Sequence, residues 1–367
     1  MNVTNDRTVF DVAVIGSGPA GAQAAVSAAH QMRHVVLIDG GSVSLRRGRH
    51  FWTKSVDIVD APVFQAITGP ALRRALLQWL TAQPVRTVQL GDNARKVGIH
   101  RLPAYVTDLQ RATNESFNLT VSTAFRPEGD EALSTDTLMA RTIVVATGFE
   151  DNWPAIEIDS SAQRAYERYR VLFRYAGNHR GWHVCIRCDG HLHVDQELAI
   201  VGVGDYIFDV VHGAQDFTSH MTVLTNGRPH GMSDTVLAEM NRRGIGLETE
   251  RISAHIGTGR DLLGLQLADG RQLHFDGFFV DEGLRANDRF LDRFAPMHNG
   301  EGLLECNENQ QVIDSSGRAI AGIWAGGDIV AGQRNLIAAA FASGQNAGLA
   351  ASDSLRKWPE LTRTTLE

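Results

Sequence analysis

The chain has 367 residues, of which 43% are hydrophobic and 21% are charged, so it is long enough for two globular domains and too apolar to be disordered. Its 35 basic and 42 acidic residues give a net charge of −7, which argues against a nucleic-acid-binding protein, and three cysteines exclude a disulfide scaffold. No apolar run reaches the ~20 residues of a membrane span, and residues 1–7 are polar, so we expect a cytoplasmic protein without a signal peptide.

The first predicted elements form a strand–turn–helix–strand series. The apolar run Phe10–Ile15 predicts a buried strand that continues directly into the glycine-rich turn Gly16–Gly21. An alanine-rich helix is expected over residues 22–29, and a second buried strand over Val35–Ile38, which ends at Asp39. This order is that of a βαβ unit.

The glycine spacing in this turn suits a dinucleotide site. Gly16 permits the tight turn, Gly18 lets the backbone approach a pyrophosphate, and Gly21 allows the helix to pack close to the strand. The helix N-terminus attracts the phosphate charge. Asp39 ends the second strand, where a carboxylate accepts hydrogen bonds from an adenosine ribose. We therefore predict dinucleotide binding here rather than a purely structural turn.

Further elements follow along the chain. The polar stretch Arg126–Thr137 predicts a surface hairpin or loop, and the C-terminal residues predict a polar tail. A second βαβ unit is expected in the second half of the chain. The segments are strands at 142–148 and 322–328, a second unit with strand 198–201, turn 202–204, helix 207–214 and strand 221–224, an apolar helix at 336–351 and the tail from Trp358.

Two cysteines three residues apart predict redox chemistry. Cys185 and Cys188 enclose two residues, and Asp189 follows directly. This spacing allows a small reversible disulfide, and the adjacent carboxyl group is placed to move a proton to or from a thiolate. The alternative interpretation is half of a zinc site, which His191 and His193 would have to complete.

The second glycine-rich turn departs from a nucleotide site. Gly202 and Gly204 are present, but Ile207 occupies the position at which glycine or alanine lets the helix pack close. The segment Thr225–His230 also lacks the dense basic run that a 2′-phosphate needs, although its two basic residues keep NADPH binding open. We expect a βαβ fold without productive NADPH binding, which leaves room for another ligand such as a second flavin.

An arginine-rich stretch precedes the second cysteine. Between Gln163 and Cys188 there are six arginines and one acidic residue, Glu167, so the local charge is +5 in a chain of net charge −7. Such a stretch is either a solvated surface or a docking surface for an acidic protein. The arginines are Arg164, Arg168, Arg170, Arg174, Arg180 and Arg187.

Together these motifs resemble the low-molecular-weight thioredoxin reductase family. The resemblance extends from Phe10 to about Ala351, and the Cys-x-x-Cys-Asp motif just before the second βαβ unit is its most specific element. It implies an α/β fold with two Rossmann-like, three-layer ββα nucleotide-binding domains, the second inserted in the first. The matching segments, in order, are Gly16–Gly21, Ala146–Gly148, Cys185–Gly190, Gly202–Gly204 and Ala325–Asp328.

The resemblance also implies a division of labour. Residues 1–149 and 284–367 form an FAD-binding domain, and residues 150–283 form an inserted, NADPH-like domain with the cysteine pair. Cys188 is then the thiol that faces the flavin, Cys185 the thiol that attacks a substrate disulfide, and Asp189 the acid, and no metal is expected. The implied FAD-binding residues are Gly16, Gly18, Pro19, Ala20, Gly21, Asp39, Gly40, Ala146, Thr147, Gly148, Gly327, Asp328, Arg334, Asn335 and Leu336.

Some parts of the implied flavin site match the family and one does not. Asp328 matches a residue that binds the ribityl–pyrophosphate region, and Arg334-Asn335 matches a flavin-contacting Arg-Gln pair. The Gly-Gly-Gln segment that the family has near the flavin is absent, and residues 40–49 replace it.

The missing NADPH motifs bear on the electron donor. In this the chain is similar to a branch of the family that takes electrons from ferredoxin. We expect a homodimeric, flavin-dependent disulfide oxidoreductase that passes electrons from ferredoxin or another non-NADPH donor, via FAD and the Cys185–Cys188 disulfide, to thioredoxin or a similar disulfide. The alternatives are an NADPH-dependent thioredoxin reductase, an oxygen-using dithiol oxidase, and a flavin-containing binding protein whose cysteine pair does not turn over.

Overall fold

The computed structural model describes residues 8–40, 54–61, 66–112, 115–125, 132–162 and 165–356. The chain divides into two compact units. The first contains Met1–Gly48, Arg73–Phe149 and Ala286–Glu367, and the second contains Arg49–Leu72 and Glu150–Arg285. The second unit therefore includes residues 49–72, a segment that the sequence-based boundaries assign to the first domain.

Strands and helices alternate over residues 9–81 and 182–248, as expected of an α/β protein, and strands follow one another over most of the remaining chain. The strands are β1 (Val9–Ile15), β2 (His34–Ile38), β3 (Arg86–Leu90), β4 (Asn93–Leu102), β5 (Tyr105–Arg111), β6 (Phe117–Phe125), β7 (Ala132–Val145), β8 (Phe149–Asp151), β9 (Trp182–His183), β10 (Leu198–Gly202), β11 (Met221–Leu224), β12 (Gly246–Glu248), β13 (Ile252–Thr258), β14 (Asp261–Leu267), β15 (Gln272–His274), β16 (Gly277–Asp281), β17 (Leu284–Ala286), β18 (Gln311–Ile313) and β19 (Ala319–Ala325). The helices are α1 (Pro19–His30), α2 (Gly69–Thr81), α3 (Ala165–Arg168), α4 (Arg170–Tyr175), α5 (Ile186–Asp189), α6 (Ile207–Ala214), α7 (Asp234–Arg242) and α8 (Ile337–Asp353). Short 3-10 helices cover Gly190–Leu192 and Arg289–Phe294.

The first unit is built on a sheet with parallel inner strands. The neighbour order is β18-β19-β7-β1-β2-β4-β3, and β1, β2, β4, β7 and β19 pair in parallel. Strand β2 is buried along its whole length, which is typical of a strand covered on both faces. Because parallel strands run in one direction, the carboxyl ends of β1, β2, β7 and β19 lie at one edge of this sheet.

Helices α1 and α8 pack against each other through small residues. A Cβ on Gly344 would lie 2.2 Å from the carbonyl oxygen of Ala20, and a Cβ on Gly348 would lie 2.5 Å from that of Ala24. Side-chain carbons do not approach backbone oxygens this closely, so the two helices meet at a distance that requires glycine at both positions.

The second unit combines two sheets around an aromatic core. Its parallel sheet has the order β12-β11-β10-β16-β9, and its antiparallel sheet has the order β13-β14-β15. Trp182 and Phe278, from β9 and β16, are fully buried and their rings lie 5.6 Å apart. Strand β10 is buried at every position, as expected of a central parallel strand.

The structure confirms the predicted α/β class and most predicted elements. Strand β11 and helix α6 have the predicted bounds, and β10 is one residue longer than predicted. The predicted surface hairpin or loop over residues 126–137 lies in a hairpin, because residues 132–137 belong to β7 and pair antiparallel with β6. Residues 126–131 lie outside the described residues. Among the described residues, no helix has the length and apolar character of a membrane span.

Replacing Gly348 by valine is expected to destabilise the first unit, because the new side chain meets the backbone of α1. Overpacking of this kind costs about 1–3 kcal/mol. Gly300→Ala is the matched control, since Gly300 is exposed and a Cβ there has no heavy atom within 4 Å. Its effect should stay below about 0.5 kcal/mol. Urea unfolding followed by circular dichroism measures both, and equal stability of the two variants would contradict the close helix contact.

Candidate functional site

The first glycine-rich turn brings the ends of three strands together. The N–H of Gly16 donates to the carbonyl oxygen of Ile38, 2.9 Å away at the end of β2. Gly16 has φ +107°, and a Cβ there would lie 2.3 Å from the carbonyl oxygen of Ala146, just after β7. A Cβ on Gly21 would lie 1.9 Å from the carbonyl oxygen of Gly16. The backbone at Gly16 and Gly21 therefore makes the close contacts that the sequence predicts for these two glycines.

The N-terminus of α1 is open at Gly18. Gly18 is the N-cap and has no side chain to bond the first helical N–H groups, and a Cβ there would meet no heavy atom within 4 Å. The turn after β19 also lies close to α1, since a Cβ on Gly327 would lie 2.7 Å from the Ala20 methyl group. Ser343 holds this turn by accepting the Gly327 N–H at 2.8 Å. An open helix N-terminus beside glycine turns fits the pyrophosphate of a dinucleotide.

Asp39 is buried and already bonded within the protein. Its Oδ1 accepts from the Ser17 hydroxyl at 2.7 Å, and its Oδ2 accepts from Arg101 Nη2 at 2.6 Å. Burial favours a higher pKa for Asp39, but the hydrogen bonds from Arg101 and Ser17 outweigh it and hold the pKa below its ordinary value. The Ser17 hydroxyl and the two bonds from the Arg101 guanidinium, through Nε at 3.2 Å and Nη2, thus hold Asp39 as a buried carboxylate at the end of β2. Neither partner could be predicted from the sequence. Arg101 lies 62 residues away, and Ser17 lies in the turn but belongs to no motif that pairs it with Asp39.

The segments after β7 and before α8 supply the remaining expected flavin contacts. The Thr147 hydroxyl is buried and has no hydrogen-bond partner among the described residues. Leaving a buried hydroxyl without a hydrogen bond costs about 1–3 kcal/mol of stability, which favours a bound ligand as its partner. Gly148, with φ +62°, borders open space, and Arg334 is exposed just before α8. These residues fit FAD in the first unit, and most of the segment that replaces Gly-Gly-Gln lies outside the described residues.

The remaining predicted cofactor residues lie on the same elements. Pro19 is the first residue of α1, and Gly40 directly follows Asp39, where a Cβ would lie 3.1 Å from the Tyr105 ring. Asp328 follows the Gly327 turn and is half-buried. Asn335 and Leu336 precede α8, of which Leu336 is the N-cap.

Cys185 and Cys188 form a disulfide in the second unit. Their Cα atoms are 5.3 Å apart, and Cys185 is the N-cap of the short helix α5. The backbone N–H of Cys188 donates to Cys185 Sγ at 3.2 Å. Both cysteines are half-buried, which leaves the pair accessible. By contrast, burial raises the pKa of the third thiol, Cys306, to about 12, so it is an unreactive residue.

The carboxylate of Asp189, directly after the disulfide, lies between two buried basic groups. Its Oδ1 accepts from Lys54 Nζ, and its Oδ2 lies 2.9 Å from His183 Nδ1. Burial favours a higher pKa for Asp189, but the hydrogen bond and charge of His183 and the charge of Lys54 lower the pKa to about 2. Asp189 is therefore ionised at neutral pH, and its role as the acid stays a prediction. Lys54 was missed because it lies 135 residues away.

The two histidines that the alternative zinc interpretation requires lie in different environments. His191 is exposed, whereas His193 is fully buried and its Nδ1 lies 2.9 Å from Gln196 Oε1. Its Nε2 lies 3.3 Å from His183 Nε2. Burial lowers the pKa of His193 to about 4, so this ring is neutral at neutral pH. His193 thus extends the Asp189 network instead of joining the cysteines.

The second glycine-rich turn is filled by its own residues. The Ile207 side chain reaches to 2.5 Å from the position of a Cβ on Gly202. Asp205, inside the turn, accepts the Ser233 N–H at 2.7 Å. The guanidinium of Arg228 forms a two-bond ion pair with the carboxylate of Glu282, whose side chain is 9% exposed. The basic residue that a nucleotide phosphate would need is therefore engaged by a carboxylate.

The arginine-rich stretch is only partly engaged. Arg164 lies outside the described residues. Arg174 Nε donates to the carbonyl oxygen of Gly259 at 2.7 Å, and Arg180 pairs with Asp276 at 3.2 Å. The side chains of the other arginines are exposed and form no hydrogen bond or ion pair within the described part of the chain; these residues are Arg168, Arg170 and Arg187.

Comparison with known proteins decides the family. A family model described as pyridine nucleotide-disulphide oxidoreductase matches residues 10–344, which is most of the chain. The chain belongs to this family. Membership agrees with the predicted class, the disulfide oxidoreductases.

Individual relatives of this oxidoreductase are distant. An alkyl hydroperoxide reductase chain of Escherichia coli strain K12 is 25% identical over 96% of the present chain, and NADH dehydrogenase of Bacillus subtilis strain 168 is 25% identical over 95%. The chain spans 59% of the length of each. Among solved structures, thioredoxin reductase from Streptococcus pyogenes has a TM-score of 0.72 and 18% identity, with 95% of this chain and 99% of that chain covered. Thioredoxin reductase from Giardia duodenalis has a TM-score of 0.72 and 18% identity, with 94% and 98% covered. These structures confirm the predicted thioredoxin-reductase-like fold.

The depressed pKa of Asp189 predicts acid sensitivity of the second unit. The folded pKa of about 2 lies below the ordinary 3.8, so the stabilisation is complete above pH 3.8 and is lost as the pH falls from about 4 to about 2. Asp189→Asn should lower stability at neutral pH by an amount on the order of 2 kcal/mol, and this difference should shrink in acid. Urea midpoints measured from pH 7 to pH 3 give the comparison.

Asp276→Asn is the control for this experiment. Asp276 pairs with Arg180 in the same unit, but both side chains are more than 40% exposed, and such pairs contribute at most about 1 kcal/mol. A difference between wild type and Asp189→Asn that is the same at pH 7 and pH 3 would contradict the ionised, buried carboxylate.

Proposed function

We propose that the chain is an FAD-dependent disulfide oxidoreductase whose Cys185–Cys188 disulfide exchanges electrons with thioredoxin or a similar disulfide substrate. The observation that carries this proposal is the accessible disulfide at the N-terminus of α5, followed directly by the buried Asp189. FAD, when bound, supplies one- and two-electron chemistry that the side chains lack.

The chain's own residues supply the disulfide chemistry. Breaking the S–S bond takes up two electrons, and one sulfur gains a proton while the other remains a thiolate. We assign Cys185 as the thiol that attacks the substrate disulfide and Cys188 as its resolving partner. The Cys188 N–H, 3.2 Å from Cys185 Sγ, is placed to stabilise negative charge on Cys185. Gly190 lets the following turn pack against Phe217, whose ring lies 2.4 Å from where a Cβ would be.

We further propose that the electron donor is ferredoxin or another acidic protein rather than NADPH. Two observations support this: Arg228 is paired with Glu282 beside the filled second turn, and Arg168, Arg170 and Arg187 are exposed and positively charged. Opposite charge accelerates the encounter of two proteins over distances of about a screening length. Three further points stay predictions of the sequence: the cytoplasmic location, the homodimer, and a second flavin at the nucleotide site of the second unit.

Cys188→Ser tests the proposed function. The variant should keep its flavin and lose at least about 100-fold in turnover with oxidised thioredoxin, because no disulfide can form. Purified holoenzyme is reduced anaerobically with dithionite, and reoxidation of the flavin absorbance is followed after thioredoxin is added. Cys306→Ser is the matched control, since this thiol is buried and should be dispensable. Full turnover in Cys188→Ser would reject the function.

The donor is tested by mixing oxidised holoenzyme anaerobically with NADPH, NADH or reduced ferredoxin and following flavin bleaching. Only ferredoxin should bleach the flavin rapidly, and its rate should fall as salt rises. Arg168→Glu with Arg170→Glu should slow this reaction about tenfold or more without changing the reaction with dithionite.

Arg86→Glu with Arg95→Glu is the control pair, because both residues are exposed in the first unit and the net charge changes equally. Rapid bleaching by NADPH would overturn the donor assignment. Equal slowing by both arginine pairs would show that net charge, not this surface, determines the rate.

A further inference from the structure

The second unit buries a row of polar side chains beside the disulfide. Lys54 is 8% exposed, Asp189 is 5% exposed, and His183 is 2% exposed. They come from three places in the sequence and meet through the two bonds of the Asp189 carboxylate. Burying charged side chains costs free energy even when they are paired, so a charged network next to a redox disulfide indicates a functional role.

The partners of His183 assign its protons. Its Nε2 lies 3.1 Å from the carbonyl oxygen of His179, which only accepts, so Nε2 carries a hydrogen. Its Nδ1 faces Asp189, which is held as a carboxylate by Lys54, so Nδ1 also donates. His193 agrees with this assignment, because its Nδ1 donates to Gln196 and its Nε2 is left to accept from His183. His183 is therefore an imidazolium and His193 is neutral.

The network then has a net positive charge. Lys54 and His183 each contribute one positive charge, and Asp189 contributes one negative charge. Apart from Asp189 and the neutral His193, no titratable side chain within the described residues bonds to His183. Phe279 stacks on its ring at 5.1 Å, and its remaining polar neighbour is the His179 carbonyl. Asp189 directly follows Cys188, and His183 precedes Cys185 by two residues, so the charges lie close to the sulfurs along the chain.

We propose that Lys54, Asp189 and His183 form a buried cationic network that stabilises the thiolate released when the Cys185–Cys188 disulfide is reduced. This rests on the proposed function only in that the pair is reduced in use. Two electrons from a dithiol or the enzyme's donor break the S–S bond, one sulfur takes a proton from solvent, and the other stays a thiolate. Lys54 and His183 are positioning residues that act through Asp189, which is an ionised bridge between them and not the acid.

The test measures the thiolate directly. Holoenzyme is reduced with a phosphine, and the rate of alkylation by iodoacetamide is followed from pH 5 to pH 10, with the modified cysteine located by mass spectrometry. The midpoint of this profile reports thiolate formation. Lys54→Met and His183→Asn each remove one positive charge, so each midpoint should rise by about one pH unit.

The variants separate charge from structure. Asparagine at position 183 keeps an N–H donor for Asp189 but cannot carry the proton, and Lys54→Arg keeps the charge and should keep the wild-type midpoint. Asp189→Asn removes a negative charge, so its midpoint should stay or fall. Arg187→Gln is the exposed comparator, and its effect should vanish at about 1 M salt, where the screening length is about 3 Å, whereas the buried effect should persist.

Unchanged midpoints in Lys54→Met and His183→Asn would overturn the proposal, and so would a raised midpoint in Asp189→Asn, which would make Asp189 the proton donor. If Lys54→Met does not fold, the more conservative His183→Asn decides alone. Alkylation needs neither an electron donor nor a substrate. Its outcome is therefore independent of the turnover lost in Cys188→Ser, and failure of the network and failure of the proposed function are told apart.

Discussion

The burial of one carboxylate organises the redox half of the molecule. Asp189 cannot remain ionised inside the protein without partners, and Lys54 and His183 provide them from opposite sides. That requirement fixes residue 54 against α5, sets the ring orientation of His183, and leaves His193 as a neutral neighbour. The residue that directly follows the disulfide therefore belongs to a buried and already charged network.

The nucleotide half depends on a different constraint, namely how closely backbones approach. The turn after β1, the turn after β19 and the contact of α1 with α8 all place backbone or methyl groups where a Cβ would otherwise lie. Glycine and alanine at these positions leave the N-terminus of α1 open. A charged network in one unit and a cradle of small residues in the other are both means of holding groups that water would otherwise solvate.

Local patterns predicted from the sequence agree best with the structure. Strand β11 and helix α6 have their predicted bounds because apolar runs and turns mark both ends. Contacts between distant segments could not be predicted: Arg101 on Asp39 and Lys54 on Asp189 are single basic residues without a local motif. For the same reason the strongly lowered pKa of Asp189 could not be predicted, since Lys54 lies 135 residues away and has no local motif.

The Arg228–Glu282 pair has a consequence for any redesign of the second unit. The Glu282 side chain is nearly buried, so exchanging Arg228 alone leaves an unpaired interior carboxylate. Exchanging Glu282 alone releases Arg228, but Ile207 and Asp205 still occupy the turn that a phosphate would have to enter. These substitutions are coupled, and their effects do not add. A redesigned turn that binds a nucleotide phosphate therefore requires several simultaneous changes, in which Arg228 and Glu282 have to be exchanged together.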